Sequence, residues 1–390
     1  MLWFGRKRRR VGRKVFIDEI STSARQILVG AGFEPCKELE HADSLWVRKN
    51  VGQYYPQLAS HQLINHLPEE REIINKTNLA THLREYQRSC VPGDVQLSDF
   101  FQETYCLDAE DQRRQFLEVR PNPPSRDDLW ILKPGGLSRG EGIKILWNFE
   151  KLKKSFREGG KLAKEVVKER YIAQRYIQNP LLLDGRKSEI RVYWLVASVR
   201  PLMVLMFQDG TSRLNTMPYK LDDFDNPLVH ITNVFQQKKN PDYDPNVSLK
   251  WSWERLQVYI NDHLGKADGT FLEKQLKPRV HKFLRYIVKA SLHKLIKTPE
   301  QGNSYALFGA DVILDDQLHP WLTEVQKNPG LSFDDPVKVA VLPPMLSEAV
   351  AIMHEIQERR LNDDDFKNLK SVDGFEWVIN EVQPELLPNP

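Results

Sequence analysis

The chain has 390 residues, of which 41 % are apolar and 28 % charged, with a formal net charge of +3. That length exceeds one compact core and suits two or three lobes. No apolar run reaches the roughly eighteen residues of a membrane span, so none is expected, and the net charge is too small by itself to announce a nucleic-acid binder. Cys36, Cys90 and Cys106 form neither a disulfide framework nor a metal-ligand spacing, and Leu2-Trp3-Phe4 runs at once into Arg6 to Arg10 rather than into an apolar signal core. A reducing, cytoplasmic compartment and a monomer are expected.

Residues 1–125 read as an N-terminal lobe. It opens on a basic arm, Arg6 to Arg10 with Arg13 and Lys14, readable as a solvated tail, an attractor for an acidic polymer or a nuclear-import address. It ends at Pro121-Asn122-Pro123-Pro124, which has the composition of a boundary. From 126 to 200, a central lobe, the pattern turns to short apolar strands at Leu129–Leu132, Ile143–Trp147, Tyr171–Ile177 and Ile190–Val199. A second basic run, Lys151 to Lys168, reads as a solvated helix face or as a further attractor for acidic polymers. The C-terminal lobe, 201–360, begins with a strand at Leu202–Phe207 and passes through a polar loop at Pro241 to Pro245. Mainly antiparallel sheets with helices between them define an α+β chain.

Apolar residues from Phe271 to Leu295 recur at spacings of three and four, one face of an amphipathic helix that Pro278 must start or kink. Ala306–Leu314 and Trp321–Val325 then form a hairpin around the turn residues Asp315-Asp316-Gln317. Val337–Ile356 is a further helix, and Asp363 to Asp365 opens a polar tail over 361–390.

A turn near Gln317 sets Asp311 opposite Glu324, with Gln326 and Asn328 close behind. Two facing carboxylates in apolar strands repel unless a cation or proton lies between them. Mg²⁺ shared with phosphates satisfies that pair; so does a lysine or exposure of one acid. Lys133 to Gly142 holds four glycines with Arg139, including Gly140, between two strands, either a phosphate lid or a tight structural turn; no Gly-Lys-Ser/Thr makes it a Walker loop. Lys187, Glu189 and Arg191 alternate on one strand face, as a surface charge ladder or a site wall. His230-Ile231-Thr232-Asn233 is a loop cap or a ribose and phosphate contact.

Taken in order, these residues resemble the tubulin tyrosine ligase-like family of ATP-grasp ligases. The resemblance runs from about Lys76 to Leu331 and rests on Lys133-Pro134 with the loop to Ile143, Gln174 to Leu183, Glu189-Ile190-Arg191, His230 to Asn233, Phe308 to Asp311 and Trp321 to Val325. Asn65-His66 and Asn75 to Leu79 resemble its N-terminal lobe less specifically. It implies an ATP-grasp fold with the nucleotide held between two lobes and amide formation between an amino-acid donor and a polypeptide carboxylate through an acyl phosphate. Lys76, Lys133, Arg139 and the glycines would meet phosphates, and Gln174, Arg175, Tyr176, Ile177 and Lys187 would border adenine. Glu189, His230, Thr232 and Asn233 would complete the nucleotide site. Arg191 and Arg213 would act on the transferring phosphoryl group, and Asp311, Glu324, Gln326 and Asn328 would hold Mg²⁺. The implied acceptor is the acidic tail of tubulin, with a microtubule-associated location. Two positions depart from the family pattern: Glu189 stands for the usual aspartate and Gln326 for the usual asparagine. A ligase for another peptide or small acceptor, and a non-catalytic pseudoligase binding tubulin, are the rival implications.

Overall fold

Strand-forming runs assemble into three sheets in the computed structural model, which describes residues 12–18, 22–91, 93–119, 128–264, 269–296, 303–327 and 329–387. Arg6 to Arg10, Pro121 to Pro124 and Asn328 lie outside these. The first sheet has the order Glu34–Cys36, Lys14–Ile17, Ser44–Trp46, Leu63–Ile64 and is parallel throughout. It departs from the antiparallel expectation, and strands this short carry little periodicity to read. The second has the order Thr104–Cys106, Ile172–Arg175, Trp130–Lys133, Lys144–Leu146 and is antiparallel.

The third sheet is also antiparallel, with the path Lys250–Ser252, Leu202–Leu214, Arg186–Val199, Ala306–Leu314, Pro320–Lys327. Its central strand is apolar on both faces because helices cover both. Ile190, Val192, Trp194 and Val196 meet Phe283, Leu284 and Ile287 of one helix layer, whereas Tyr193, Leu195 and Ala197 meet Leu342, Met345 and Leu346 of the other. Alternate residues on a strand serve opposite faces, so a doubly covered strand reads as one continuous apolar run.

Two expectations need correction. The polar tail fails over Phe375–Asn380, a strand that pairs with Leu202–Leu214 and buries Phe375, Val378 and Ile379; its alternation is short and set among charged residues. The lobe boundaries at 125/126 and 200/201 cut ladders, since Thr104–Cys106 pairs with Ile172–Arg175 and the 200/201 point lies in the hairpin joining two strands of one sheet. The helix expected over Phe271–Leu295 is present, and Pro278 starts its α segment Lys277–Leu295, while the turn before it, Leu272–Leu276, widens to a π-helix. A proline has no N–H to donate and crowds the carbonyl four residues back, which the wider turn accommodates. The helix Pro336–Leu361 is long and apolar enough to cross a membrane by length and composition; here one face of it, including Val341, Leu342, Met345, Leu346, Ile352, Met353 and Ile356, is buried against the sheet, while Val339 and Ala351 are exposed.

Candidate active-site cleft

Between the second and third sheets the strand registers bring the chemistry-bearing residues together. Arg191 pairs in register with Asp311, Asp311 with Glu324, and Glu189 with Arg213, so four strands present one polar row. Lys187, Glu189 and Arg191 are buried, which removes the surface-ladder reading. Asp311 is fully buried and accepts from both arginines: Arg191 engages it through Nε and, at 2.9 Å, through a terminal nitrogen, and Arg213 reaches it at 2.6 Å. Burial alone would raise the Asp311 carboxyl, but the Arg191 and Arg213 guanidiniums hold it well below the usual carboxylate range. Gly309 makes this approach possible, because a Cβ there would lie 2.7 Å from Arg191 Cδ and from Pro329 Cβ. Arg191 also donates to the Pro329 carbonyl at 2.8 Å and to Gln326 Oε1 at 3.1 Å.

The facing wall comes from the second sheet and the glycine loop. Lys133 Nζ donates to Gln174 Oε1 at 2.8 Å and to the Thr323 carbonyl at 3.1 Å, and burial lowers its pKa to about 8. Lys76 Nζ lies 3.0 Å from Glu324 Oε2 and 3.2 Å from the Leu137 carbonyl, tying the loop to the hairpin. Lys187 Nζ donates to Tyr176 Oη at 2.9 Å and to the His230 carbonyl at 3.0 Å; burial brings its pKa down to about 7. His230, burial and Lys187 together lowering it to about 4, is a neutral imidazole held between Tyr176 Oη and the Asp223 carbonyl.

The cleft is lined by Lys76, Lys133, Gly140, Lys187, Glu189, His230, Thr232, Asn233 and Glu324 among the residues singled out in the sequence. Others stand behind or beside it. Gln174 and Tyr176 orient the two lysines, whereas Arg175 bonds Asp128 and lies over the Trp130 ring. Arg139 is exposed with its guanidinium over the Phe235 ring at 5.3 Å, so its side chain stands at the rim. Asn233 caps the short helix Val234–Gln237, as a loop cap would. Gly142 flanks the loop at φ 71°. Sequence reasoning missed Ile131, Ile313 and Thr323, which line the cleft. Ile131 lies two residues before Lys133 and Ile313 two after Asp311, and the period of two places each on its neighbour's face.

Asp311, Glu324 and Gln326 offer hard oxygen donors, and around them stand five cations, Lys76, Lys133, Lys187, Arg191 and Arg213, against three carboxylates, Glu189, Asp311 and Glu324. That donor set fits Mg²⁺, and the cationic excess fits a polyphosphate.

The chain is α+β, and a cleft lined by buried lysines lies between two antiparallel sheets under a glycine loop. Its sequence matches the Tubulin-tyrosine ligase family over residues 55–362, and the chain belongs to that family. It is similar to a bovine protein described as probable tubulin polyglutamylase TTLL9, 29 % identical over 375 residues, covering 87 % of this chain and 76 % of the relative. A rat protein described as protein polyglycylase TTLL10 is 30 % identical over 353 residues, 84 % of this chain and 50 % of the relative. A Tetrahymena thermophila protein described as probable alpha-tubulin polyglutamylase Ttll1 is 29 % identical over 286 residues, 70 % of this chain and 67 % of the relative.

Proposed function

We propose that this chain is an ATP- and Mg²⁺-dependent ligase with an ATP-grasp fold that joins an amino acid to a side-chain or terminal carboxylate of an acidic polypeptide, the tubulin tail first among them. The observation that carries this reading is that Lys76, Lys133 and Lys187 line one cleft with Glu189 and Glu324, with Arg191 and Arg213 beside them on Asp311, all within the stretch that matches the family. Glutamate and glycine are the donors to test first, because the relatives are described as polyglutamylases and a polyglycylase.

In this reading an acceptor carboxylate oxygen attacks the γ-phosphorus of ATP, the bond to ADP breaks, and an acyl phosphate forms. The donor amine then adds to the acyl carbon, loses a proton, and expels phosphate. Lys76 and Lys133 neutralise the phosphates, Lys187 and the His230 to Asn233 segment border the nucleotide, and Arg191 and Arg213 offset charge gathering on the transferring group. Asp311, Glu324 and Gln326 would hold Mg²⁺, which when bound supplies charge neutralisation at the phosphates. Holding Asp311 ionised is the task of the two arginines, and roofing the cleft is that of the glycine loop.

Incubation with ATP, Mg²⁺, tubulin and each labelled amino acid, followed by mass spectrometry of the acceptor, tests the proposal. Incorporation of one donor with ADP and phosphate release is the expected result, and Glu324→Gln should lower it by about 10²-fold or more while leaving the fold intact. Incorporation only into a non-tubulin acceptor would move the substrate assignment. ATP binding without any transfer would replace the enzyme with a binding protein.

A further inference from the structure

Away from the cleft, the helix Lys76–Gln87 packs across Lys277–Leu295. Tyr86 and Tyr286 meet edge to face at 4.8 Å, and Tyr286 Oη donates to the Leu83 carbonyl at 3.2 Å. On the same seam His82 and Glu85, one helical turn apart and so on one face, confront His293 of the partner helix. The rings of His82 and His293 lie edge to face at 5.2 Å, and Glu85 Oε2 is 3.9 Å from His82 Nδ1. One donor atom from each of the three lies within 4.8 Å of the others.

The His82 side chain is only 6 % exposed, and its two nitrogens are treated differently. Nε2 is bonded to Glu72 Oε2 at 2.6 Å, and Glu72 is itself held by Asn78 Nδ2 at 3.1 Å. Nδ1 is buried with no hydrogen-bond partner. A ring whose Nε2–H is held by a carboxylate turns the lone pair of Nδ1 outward, here toward a carboxylate and a second imidazole, neither arranged as its donor. Buried polar atoms are rarely left so, and a lone pair, an imidazole and a carboxylate that converge satisfy one another through a cation. A histidine oriented by a carboxylate on its far nitrogen is the arrangement that supports a metal ligand.

We propose that His82, Glu85 and His293 form a Zn²⁺ site that cross-links the two helices, with Glu72 orienting His82. Two imidazoles with one carboxylate favour a borderline transition metal over Mg²⁺ or Ca²⁺. Zn–N bonds of about 2.0–2.1 Å draw tetrahedral donors to within roughly 3.4 Å of one another, so the cluster must tighten, and Glu85 and His293, both exposed, are the side chains that would rotate inward, His293 giving up its hydrogen bond to the Ala290 backbone. The fourth position faces solvent and takes water. Because the helix begins at Lys76, the ion would fix one wall of the cleft to the core without entering it.

The test uses the full chain freed of metal by chelation and dialysis, titrated with Zn²⁺ in competition with a chromophoric chelator. About one equivalent should bind, with His293→Ala and Glu85→Gln each weakening it by about 10-fold or more. His41→Ala, in the separate exposed cluster of Glu38, Glu40 and His41, should leave that affinity unchanged. Zn²⁺ should raise the unfolding temperature of the native chain and not that of His293→Ala, whereas any effect of Mg²⁺ should be the same for both chains. Absence of binding, equal binding by His293→Ala, or loss on His41→Ala would overturn the site. None of these readouts depends on ligase activity.

Discussion

Glu189 and Gln326 are each one methylene longer than the aspartate and asparagine usual in the family's motifs, and the structure uses the extra length. Glu189 Oε2 accepts from Arg213 at 2.7 Å and from Thr232 Oγ1 at 2.6 Å, while Oε1 accepts from Thr323 Oγ1 at 2.6 Å. It joins three segments of the cleft as a satisfied buried anion. Glu189→Asp should therefore lose about 2 kcal/mol of stability, read as a lower denaturant midpoint at unchanged m; an unchanged midpoint would mean the shorter arm reaches the same partners. Gln326 stands between Arg191 and Glu324, accepting from the first and donating to the second. Lys187 makes a different argument. Burial brings its pKa down to about 7, so its charge is not complete in the free protein, and an arriving anion favours the charged form. Binding then takes up a proton, so nucleotide affinity should fall as pH rises above about 7, reinforced above about 8 by Lys133. Calorimetry in buffers of different ionisation enthalpy would register the uptake. An affinity flat from pH 6.5 to 9 would remove Lys187 from the nucleotide site.

The glycine loop shows how an element can be read and yet not placed. Its composition announced backbone freedom, and Arg139, Gly140 and Gly142 do adopt φ of 61°, 72° and 71°. What composition did not announce is the latch: Gln236 Nε2 donates to the Arg139 carbonyl at 2.9 Å from a segment 97 residues away. A Cβ on Gly140 would lie 2.9 Å from both Gln236 Cγ and Ile231 Cγ2. Gly140→Ala should push the loop off this latch and raise KM for ATP by about 10-fold with a smaller change in kcat, since misplaced contacts to a bound substrate cost binding first. An unchanged KM would show that the loop rests elsewhere when nucleotide is bound. The hairpin was legible for the opposite reason. Its strands, its turn and the facing of Asp311 and Glu324 are local, set by period and turn chemistry, and all are observed. The arginines that neutralise Asp311 come from strands 120 and 98 residues earlier in the chain, and no local pattern states which strand will lie beside which. Phe375–Asn380 is the same lesson at the far end: an isolated alternation becomes a strand only because Leu202–Leu214 offers it an edge.

Two histidines in different parts of the molecule, His230 and His354, are held neutral, and together they give its stability an acid limit. His354 lies where helix Pro336–Leu361 meets the first sheet, with its Nε2 3.2 Å from Ser44 Oγ and its ring edge-on to Phe33 at 4.7 Å. Burial, then Arg13, lowers its pKa to about 4; His230 in the cleft is lowered to about 4 as well. Both folded values lie below the unfolded value near 6.5. Between pH 6.5 and 4 the unfolded chain therefore binds protons that the folded chain excludes, so stability is fully present above 6.5 and is lost as pH falls toward 4. Each histidine contributes about 3 kcal/mol to that loss by linkage, before the arginine-held Asp311 begins to be protonated at still lower pH. His354→Gln retains a polar partner for Ser44 but cannot titrate. It should flatten the dependence of unfolding temperature on pH across this window without altering nucleotide affinity, because His354 lies outside the cleft. His230→Gln should flatten the same curve and weaken nucleotide binding besides. Identical curves for the native chain and His354→Gln would mean that the ring is solvated in the folded state and that the acid limit is set elsewhere.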